Sequence, residues 1–311
     1  MNYLDFHADT LTEIKKGSLQ SNHNDIDLDR VQKFCSSYIQ VFAVWMDHQK
    51  VRDKEKEFEQ LYQRAIRFLK EADSRIELCL SFEDARSAMQ KGKAAAFLSI
   101  EDISFMGRHV SRIRELGFRF AMLTWNYENE YAFGAVADQT KGLKPRGKEL
   151  ARQLVEEGIL LDISHLSDAG AEDIFRLTER PVIASHSNVR DICGQPRNLR
   201  REHIAEIIRR QGIIGMNLFS HFVSGENPVT LTDLFRHMDY ILEMGGENAL
   251  VLGGDFDGCS GQFPEGITGV ESMLFLREQM EKAGFEGRTI DRIFFENGYR
   301  FLKRNLKGEL Q

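Results

Sequence analysis

The chain has 311 residues, 42% of them hydrophobic and 29% charged, with a formal net charge of −7. That balance excludes a disordered polymer and leaves enough apolar residues for a large core. No basic tract is interleaved with aromatics, which argues against a nucleic-acid surface. In chain order, an apolar-leaning run from Tyr3 to Asp9 predicts the first strand. The second is Tyr38 to Trp45, the third Ala94 to Glu101 and the fourth Phe118 to Trp125. The fifth is Gly158 to His165, the sixth Pro181 to His186, the seventh Gly212 to Leu218 and the eighth Ala249 to Asp255. Most are near-continuous apolar runs, the pattern of parallel strands covered on both faces.

Helical stretches separate them. Asp53 to Ala72 carries Phe58, Leu61, Ala65, Phe68 and Leu69 at helical spacing, an amphipathic stripe. Gly147 to Glu157, Asp168 to Thr178, Arg201 to Arg210 and Leu231 to Met244 read the same way, and Gly269 to Leu306 holds further helices. Strand-helix alternation repeated eight times predicts an α/β fold, a (β/α)8 TIM barrel. A doubly wound open sheet is the rival, but no Gly-x-Gly-x-x-Gly follows the first strand. With only 5 prolines and no linker or repeat, a single domain over 1–311 is the simplest reading. No run approaches the ~18 apolar residues of a membrane span. No basic-then-apolar leader opens the chain. Cys35, Cys79, Cys193 and Cys259 form no C-x-x-C pair and read as reduced thiols, so a cytoplasmic protein is expected.

Polar residues recur at the strand ends. His7 and Asp9 end the first strand, Glu101 the third, His165 the fifth, His186 the sixth and Asp255 the eighth. Residues two apart in a strand share a face, so His7 and Asp9 aim at a common point. In a barrel all these C-terminal ends converge on one mouth. Singly, a strand-end histidine is a satisfied structural residue and a glutamate before a loop is solvated. Jointly, imidazoles and carboxylates at one mouth form the donor set of zinc. Two such sets predict two zinc ions, one on His7, Asp9 and Glu101, the other on Glu101, His165 and His186. Glu101 would bridge, and a hydroxide between the two ions would be the nucleophile.

The motifs Phe6-His7-Ala8-Asp9-Thr10, Phe97-Leu98-Ser99-Ile100-Glu101, Leu161-Asp162-Ile163-Ser164-His165, Ala184-Ser185-His186-Ser187-Asn188, Pro196-Arg197-Asn198 and Gly253-Gly254-Asp255-Phe256-Asp257-Gly258 resemble the membrane (renal) dipeptidase family. This is the M19 branch of the metal-dependent amidohydrolase superfamily. The resemblance runs from residue 3 to about residue 303 and extends to Asn297-Gly298-Tyr299-Arg300. It implies a dinuclear zinc barrel that hydrolyses dipeptides, including those with a C-terminal D-residue, and it implies a homodimer. It supports the ligand set above. It implies Arg197 as the binder of the substrate's terminal carboxylate, and Asp255 as the acid that takes a proton from the nucleophilic water. Asp257 competes with Asp255 for that role.

Two departures stand out. The family pattern places a histidine after Leu-Thr at the end of the fourth strand, implicated in polarising the scissile carbonyl. Here the run is Leu123-Thr124-Trp125-Asn126, and Asn126 or Tyr127 is the substitute donor at the substrate. Glu-Gly-Gly after the third strand is Glu101-Asp102-Ile103. An amidohydrolase for N-acyl amino acids, another small amide or a lactone is therefore the alternative, and a metal-binding protein without turnover is a third. Of the remaining histidines, His221 is expected near the pocket, and His23, His48, His109, His203 and His237 on the surface.

Overall fold

The apolar runs become parallel strands because helices cover their outer faces and large side chains fill the space they enclose. A computed structural model describes residues 1–308. Its strands are β1 (Asn2–Ala8), β2 (Ser37–Val44), β3 (Ile76–Leu78), β4 (Ala94–Glu101), β5 (Phe118–Met122), β6 (Leu160–Asp162), β7 (Ile183–Ala184), β8 (Ile213–Met216) and β9 (Leu250–Leu252). Every pairing is parallel. Eight strands close into a barrel in the order β1-β2-β4-β5-β6-β7-β8-β9, with Asp5 opposite Leu252 where β9 returns to β1. The chain is a (β/α)8 barrel, as the alternation predicts. The extra strand, β3, pairs only with the first residues of β4, Ile76 opposite Ala94. It escapes a reading by apolar runs because Ile76-Glu77-Leu78 carries a charged residue at its centre.

The helix Lys54–Glu71 is capped by Asp53, whose side chain accepts from the Lys56 amide, and it buries the predicted stripe from Phe58 to Leu69. The other expected helices lie within a residue or two of expectation, at Pro145–Glu156, Asp168–Leu177, Arg201–Arg209 and Leu231–Glu243, while Phe82–Gln90 forms a helix where none is expected. Among the described residues no helix is long and apolar enough to cross a membrane.

Inside the barrel, Leu4, Phe6, Val41, Phe97, Phe120, Ile183, Ile213 and Val251 pack with Phe301 and Leu302 of the C-terminal helix. Phe6 meets Phe120 and Phe301 edge to face at 6.2 and 6.1 Å. This apolar floor separates the barrel's two ends.

One irregularity decides what stands above the floor. Asp5 pairs with Gln40 but Ala8 with Phe42, so three steps of β1 run against two of β2. A bulge of this kind changes the phase of side-chain alternation. Leu4 and Phe6 face the floor, and after the bulge His7 and Asp9 face the mouth.

Candidate metal centre

Local hydrogen bonds fix each strand end. The buried Asp5 carboxylate accepts from the His7 amide at 2.9 Å, the Gly254 amide at 2.9 Å and the Tyr3 hydroxyl at 2.8 Å. It ties β1 to the loop after β9. Asp162 does the same between the ends of β6 and β7. Its Oδ1 accepts from the Ser164 amide and hydroxyl at 2.9 and 2.7 Å and from the Ser185 amide at 3.2 Å. It thereby sets the loops that carry His165 and His186.

His7, Asp9, Glu101, His165 and His186 converge, each no more than 5% exposed. Glu101 presents one oxygen to each side: Oε2 lies 3.0 Å from His7 Nε2 and Oε1 2.8 Å from His165 Nε2. Asp9 Oδ1 lies 3.8 Å from His7 Nε2. His165 Nε2 faces His186 Nε2 at 2.9 Å, and the His7 and His186 rings stack at 3.7 Å. Within this cluster His7-Asp9-Glu101 and Glu101-His165-His186 each bring donor atoms close enough to share one ion.

The donors are aimed but unspent. Asn126 Oδ1 sits 2.9 Å from His165 Nδ1, and Ser185 Oγ 2.8 Å from His186 Nδ1. With those protons on Nδ1, two Nε2 lone pairs point at each other. Both His7 ring nitrogens, Asp9 Oδ1 and Glu101 Oε2 are buried without a hydrogen-bond partner. Buried polar atoms are rarely left so, and unpartnered lone pairs gathered at one point fit a cation. Gly258 keeps the space open, since a Cβ there would collide with Asp255 Oδ1 and Asp9 Oδ2.

The charges push each other strongly. Burial opposes a charged His7, yet Glu101, Asp9 and Asp255 outweigh it and raise its pKa to about 10. Burial also works against the Glu101 carboxylate, but His7 and His165 hold its pKa below the usual range. Burial and then Arg197 lower His165 to about 4. Burial and Glu101 raise Asp9.

Asp255 and Asp257 part company. The backbone turns through positive φ at both, so strand alternation no longer governs them. Asp255 Oδ1 faces the cluster, 3.8 Å from His7 Nε2, while its Oδ2 accepts from Asn217 Nδ2 at 3.0 Å. Burial raises its pKa to about 6 against the pull of His7. Asp257 accepts instead from the Thr10 hydroxyl at 2.6 Å and the Asp25 amide at 2.7 Å. It braces the rim.

Arg197 is 4% exposed. Its Nη2 lies 3.2 Å from both His165 Nε2 and the His186 carbonyl, and its Nη1 donates to the Ser164 carbonyl and, at 3.2 Å, to Ser187 Oγ. No described carboxylate lies within salt-bridge distance, and burial lowers its pKa to about 10. Tyr127 does not enter the cluster. It sits in an edge-to-face aromatic group with Trp125 at 5.1 Å and His48 at 5.8 Å, and Trp125 also meets Trp45 at 5.2 Å and lies 6.1 Å from His165.

Three histidines expected on the surface are buried: His48, His203 and His237 are 7%, 3% and 0% exposed. His48 Nδ1 pairs with Asp102 at 2.9 Å. His237 takes the Val189 amide on Nδ1 and reaches the Val223 carbonyl from Nε2. Residue types that occur on both surface and core leave no trace in composition, so single positions misled. His221, expected near the pocket, is exposed. The supporting residues Asp5, Asn217 and Ser185 were not singled out. Asn217 carries a usable signal, since it interrupts the apolar end of the seventh run.

Comparison with known proteins bears on the fold and the family. An uncharacterised protein of the pqqA 5′ region of Klebsiella pneumoniae is 27% identical over 242 residues, 74% of this chain and 89% of that protein. The fold is that of a dipeptidase of family M19 (TM-score 0.87, 22% identity, 98% of this chain and 99% of that one). It is shared with a Rhodobacter sphaeroides metallopeptidase bound to a phosphinate mimic of L-Ala-D-Ala (TM-score 0.85, 21% identity, 98% and 99%). The model of the membrane dipeptidase family matches residues 1–310, and the chain therefore belongs to that family, the metal-dependent peptidases of M19.

Proposed function

We propose that the chain is a dinuclear zinc dipeptidase. The observation that carries this reading is the divided carboxylate of Glu101, one oxygen toward His7 and one toward His165. His7, Asp9 and Glu101 would hold one ion, and Glu101, His165 and His186 the other. Mixed nitrogen and oxygen donors favour zinc. When bound, such a pair of ions polarises a carbonyl and lowers the pKa of water toward neutrality.

The protein's own groups do the rest. Arg197 is a buried guanidinium without a carboxylate partner beside His165, and a buried unpaired cation is costly. A dipeptide's terminal carboxylate satisfies it through two parallel hydrogen bonds. That contact sets the scissile carbonyl over the cluster. Asp255 has one oxygen held by Asn217 and the other free toward the cluster. It accepts the proton of the attacking water and delivers it to the leaving amine. Asn126 acts as a positioning residue, holding the His165 proton on Nδ1 so that Nε2 is available. The rings of Trp125, Trp45 and Tyr127 form a wall beside His165 suited to an apolar substrate side chain. The four cysteines, all unpaired, suit a reducing cytoplasm.

Hydrolysis of an L-L and L-D dipeptide panel, set against N-acetyl amino acids, tests the reading. Cleavage of free dipeptides of either stereochemistry supports it. Cleavage confined to N-acyl substrates would shift it to the amidohydrolase alternative, which the loss of the family histidine at Trp125 motivates.

A further inference from the structure

We propose that the groove beneath β5, β6 and β7, on the barrel face opposite the metal centre, binds a phosphate ester through Arg114, Arg119, Arg180, Arg304 and Lys307. The groove encloses about 390 Å³, and these five cations line it together with Val155, Leu161, Pro181 and other apolar residues, but with no carboxylate of the described residues. Asp84, Glu115 and Glu157 border only the adjoining groove that shares Arg114 and Arg119.

The concentration of positive charge runs against the chain's composition, which has 48 acidic and 41 basic residues. Among the described residues none of the five cations has a carboxylate within 4.0 Å, although arginines elsewhere are widely paired. Two buried arginines at this end of the barrel make the contrast. Arg210, 6% exposed, holds Glu206 at 3.0 Å and Glu179 at 3.4 Å. Arg119, 5% exposed, has only carbonyl partners: Leu80 and Phe118 at 2.6 and 2.7 Å and Arg114 at 3.1 Å. Those bonds use Nε and Nη1, and Nη2 donates to no described acceptor while the side chain lines the groove. Burial, and then the neighbouring charge of Arg114, lower the Arg119 pKa to about 10. Arg114 is the like charge beside Arg119, and Asp84, beyond 4.0 Å, opposes it only in part, so a partly desolvated guanidinium with a free Nη2 gains from an anion in a groove that three further cations also line. Guanidinium forks match phosphate oxygens. The volume exceeds that of one phosphate, and the apolar lining suits the organic part of an ester.

The test is calorimetric titration of the metal-loaded full-length protein with phenyl phosphate and with inorganic phosphate at matched ionic strength. Arg180→Gln/Arg304→Gln, changed at exposed positions, should weaken phenyl phosphate binding about tenfold or more and leave dipeptide hydrolysis unchanged. Arg119→Gln should do the same, and circular dichroism reports whether it folds. Phenyl phosphate should bind more tightly than inorganic phosphate. Equal affinity in the wild type and the double variant would locate binding at the metals and overturn the proposal, as would no binding at all. Binding seen only in a Glu309→Gln variant would assign the groove to the chain's own carboxylate and overturn it too. Because hydrolysis is measured separately, failure here leaves the dipeptidase reading untouched.

Discussion

His165 and His186 point their Nε2 atoms at each other across 2.9 Å, while their Nδ1 atoms are engaged by Asn126 and Ser185. Two lone pairs so placed repel unless a cation lies within reach. The hydrogen bond behind each ring therefore matters as much as the ring, because it fixes the tautomer. Asn126→Ala should weaken metal binding by about 10–100-fold and lower activity at limiting zinc, with recovery at saturating zinc. Competition with a chromogenic chelator checks this. Unaltered affinity would mean that Asn126 has no part in orienting His165.

Asp255 offers a sharper separation of chemistry from metal binding. Asp255→Asn preserves shape and the bond to Asn217 but removes the proton acceptor. It should lower kcat by about 10²–10⁴-fold while the protein keeps its metal. Asp257→Asn, at the rim, should cost much less. A reversed order in paired kinetics and elemental analysis would return the proton-transfer role to Asp257.

Arg197 should act on binding. Its loss removes charge-assisted hydrogen bonds to the substrate carboxylate, and Arg197→Lys, lacking the planar fork, should raise KM for dipeptides about tenfold or more with a smaller change in kcat. A dipeptide amide should be insensitive to the change. An unchanged KM for both substrates would remove Arg197 from substrate recognition.

Stability should fall on the acid side through His237. Burial lowers its pKa from the ordinary 6.5, and protonation would break the bond that Nδ1 accepts from Val189. The unfolded chain therefore binds this proton more readily. Stability is complete above the unfolded value and is lost as pH falls below about 6.5. His203, also lowered by burial, has the same sign. Urea midpoints at pH 7.5 and 5.5 should differ more for the wild type than for His237→Gln. An equal difference would contradict the assignment.

The aromatic wall should set selectivity. Trp125→Ala should narrow the ratio of kcat/KM between dipeptides with bulky apolar side chains and those with glycine. The expected change is about 10-fold or more, in line with the burial energy of one large side chain. A constant ratio over the panel would place the wall outside the substrate's reach.

Much of this was legible in the sequence because it depends on periodicity. Eight apolar runs, most of them followed by a helical stripe, specify a barrel, and polar residues closing those runs must gather at one mouth. His7, Asp9, Glu101, His165 and His186 met there for that reason. What escaped reading lies where alternation breaks. The phase change in β1 and the positive-φ turns at Asp255 and Asp257 redirect side chains in ways no count of residues anticipates. The Asp255–Asp257 ambiguity arose there, and the turns send the Asp255 carboxylate toward the cluster and the Asp257 carboxylate to Thr10 and Asp25. His237 was legible in part, since it lies three residues after Leu234 and four before Ile241, on the buried side of its helix. Its two hydrogen bonds come from segments distant in sequence, and only the fold brings them to it.

Metal content per chain, measured on protein dialysed against metal-free buffer and paired with dipeptide hydrolysis before and after chelation, tests the central claim most directly. The divided carboxylate of Glu101 predicts two zinc ions per chain, activity lost on chelation and restored by zinc, and fewer than two ions in His165→Ala. Full hydrolysis by metal-free protein, or full activity in His165→Ala, would contradict it.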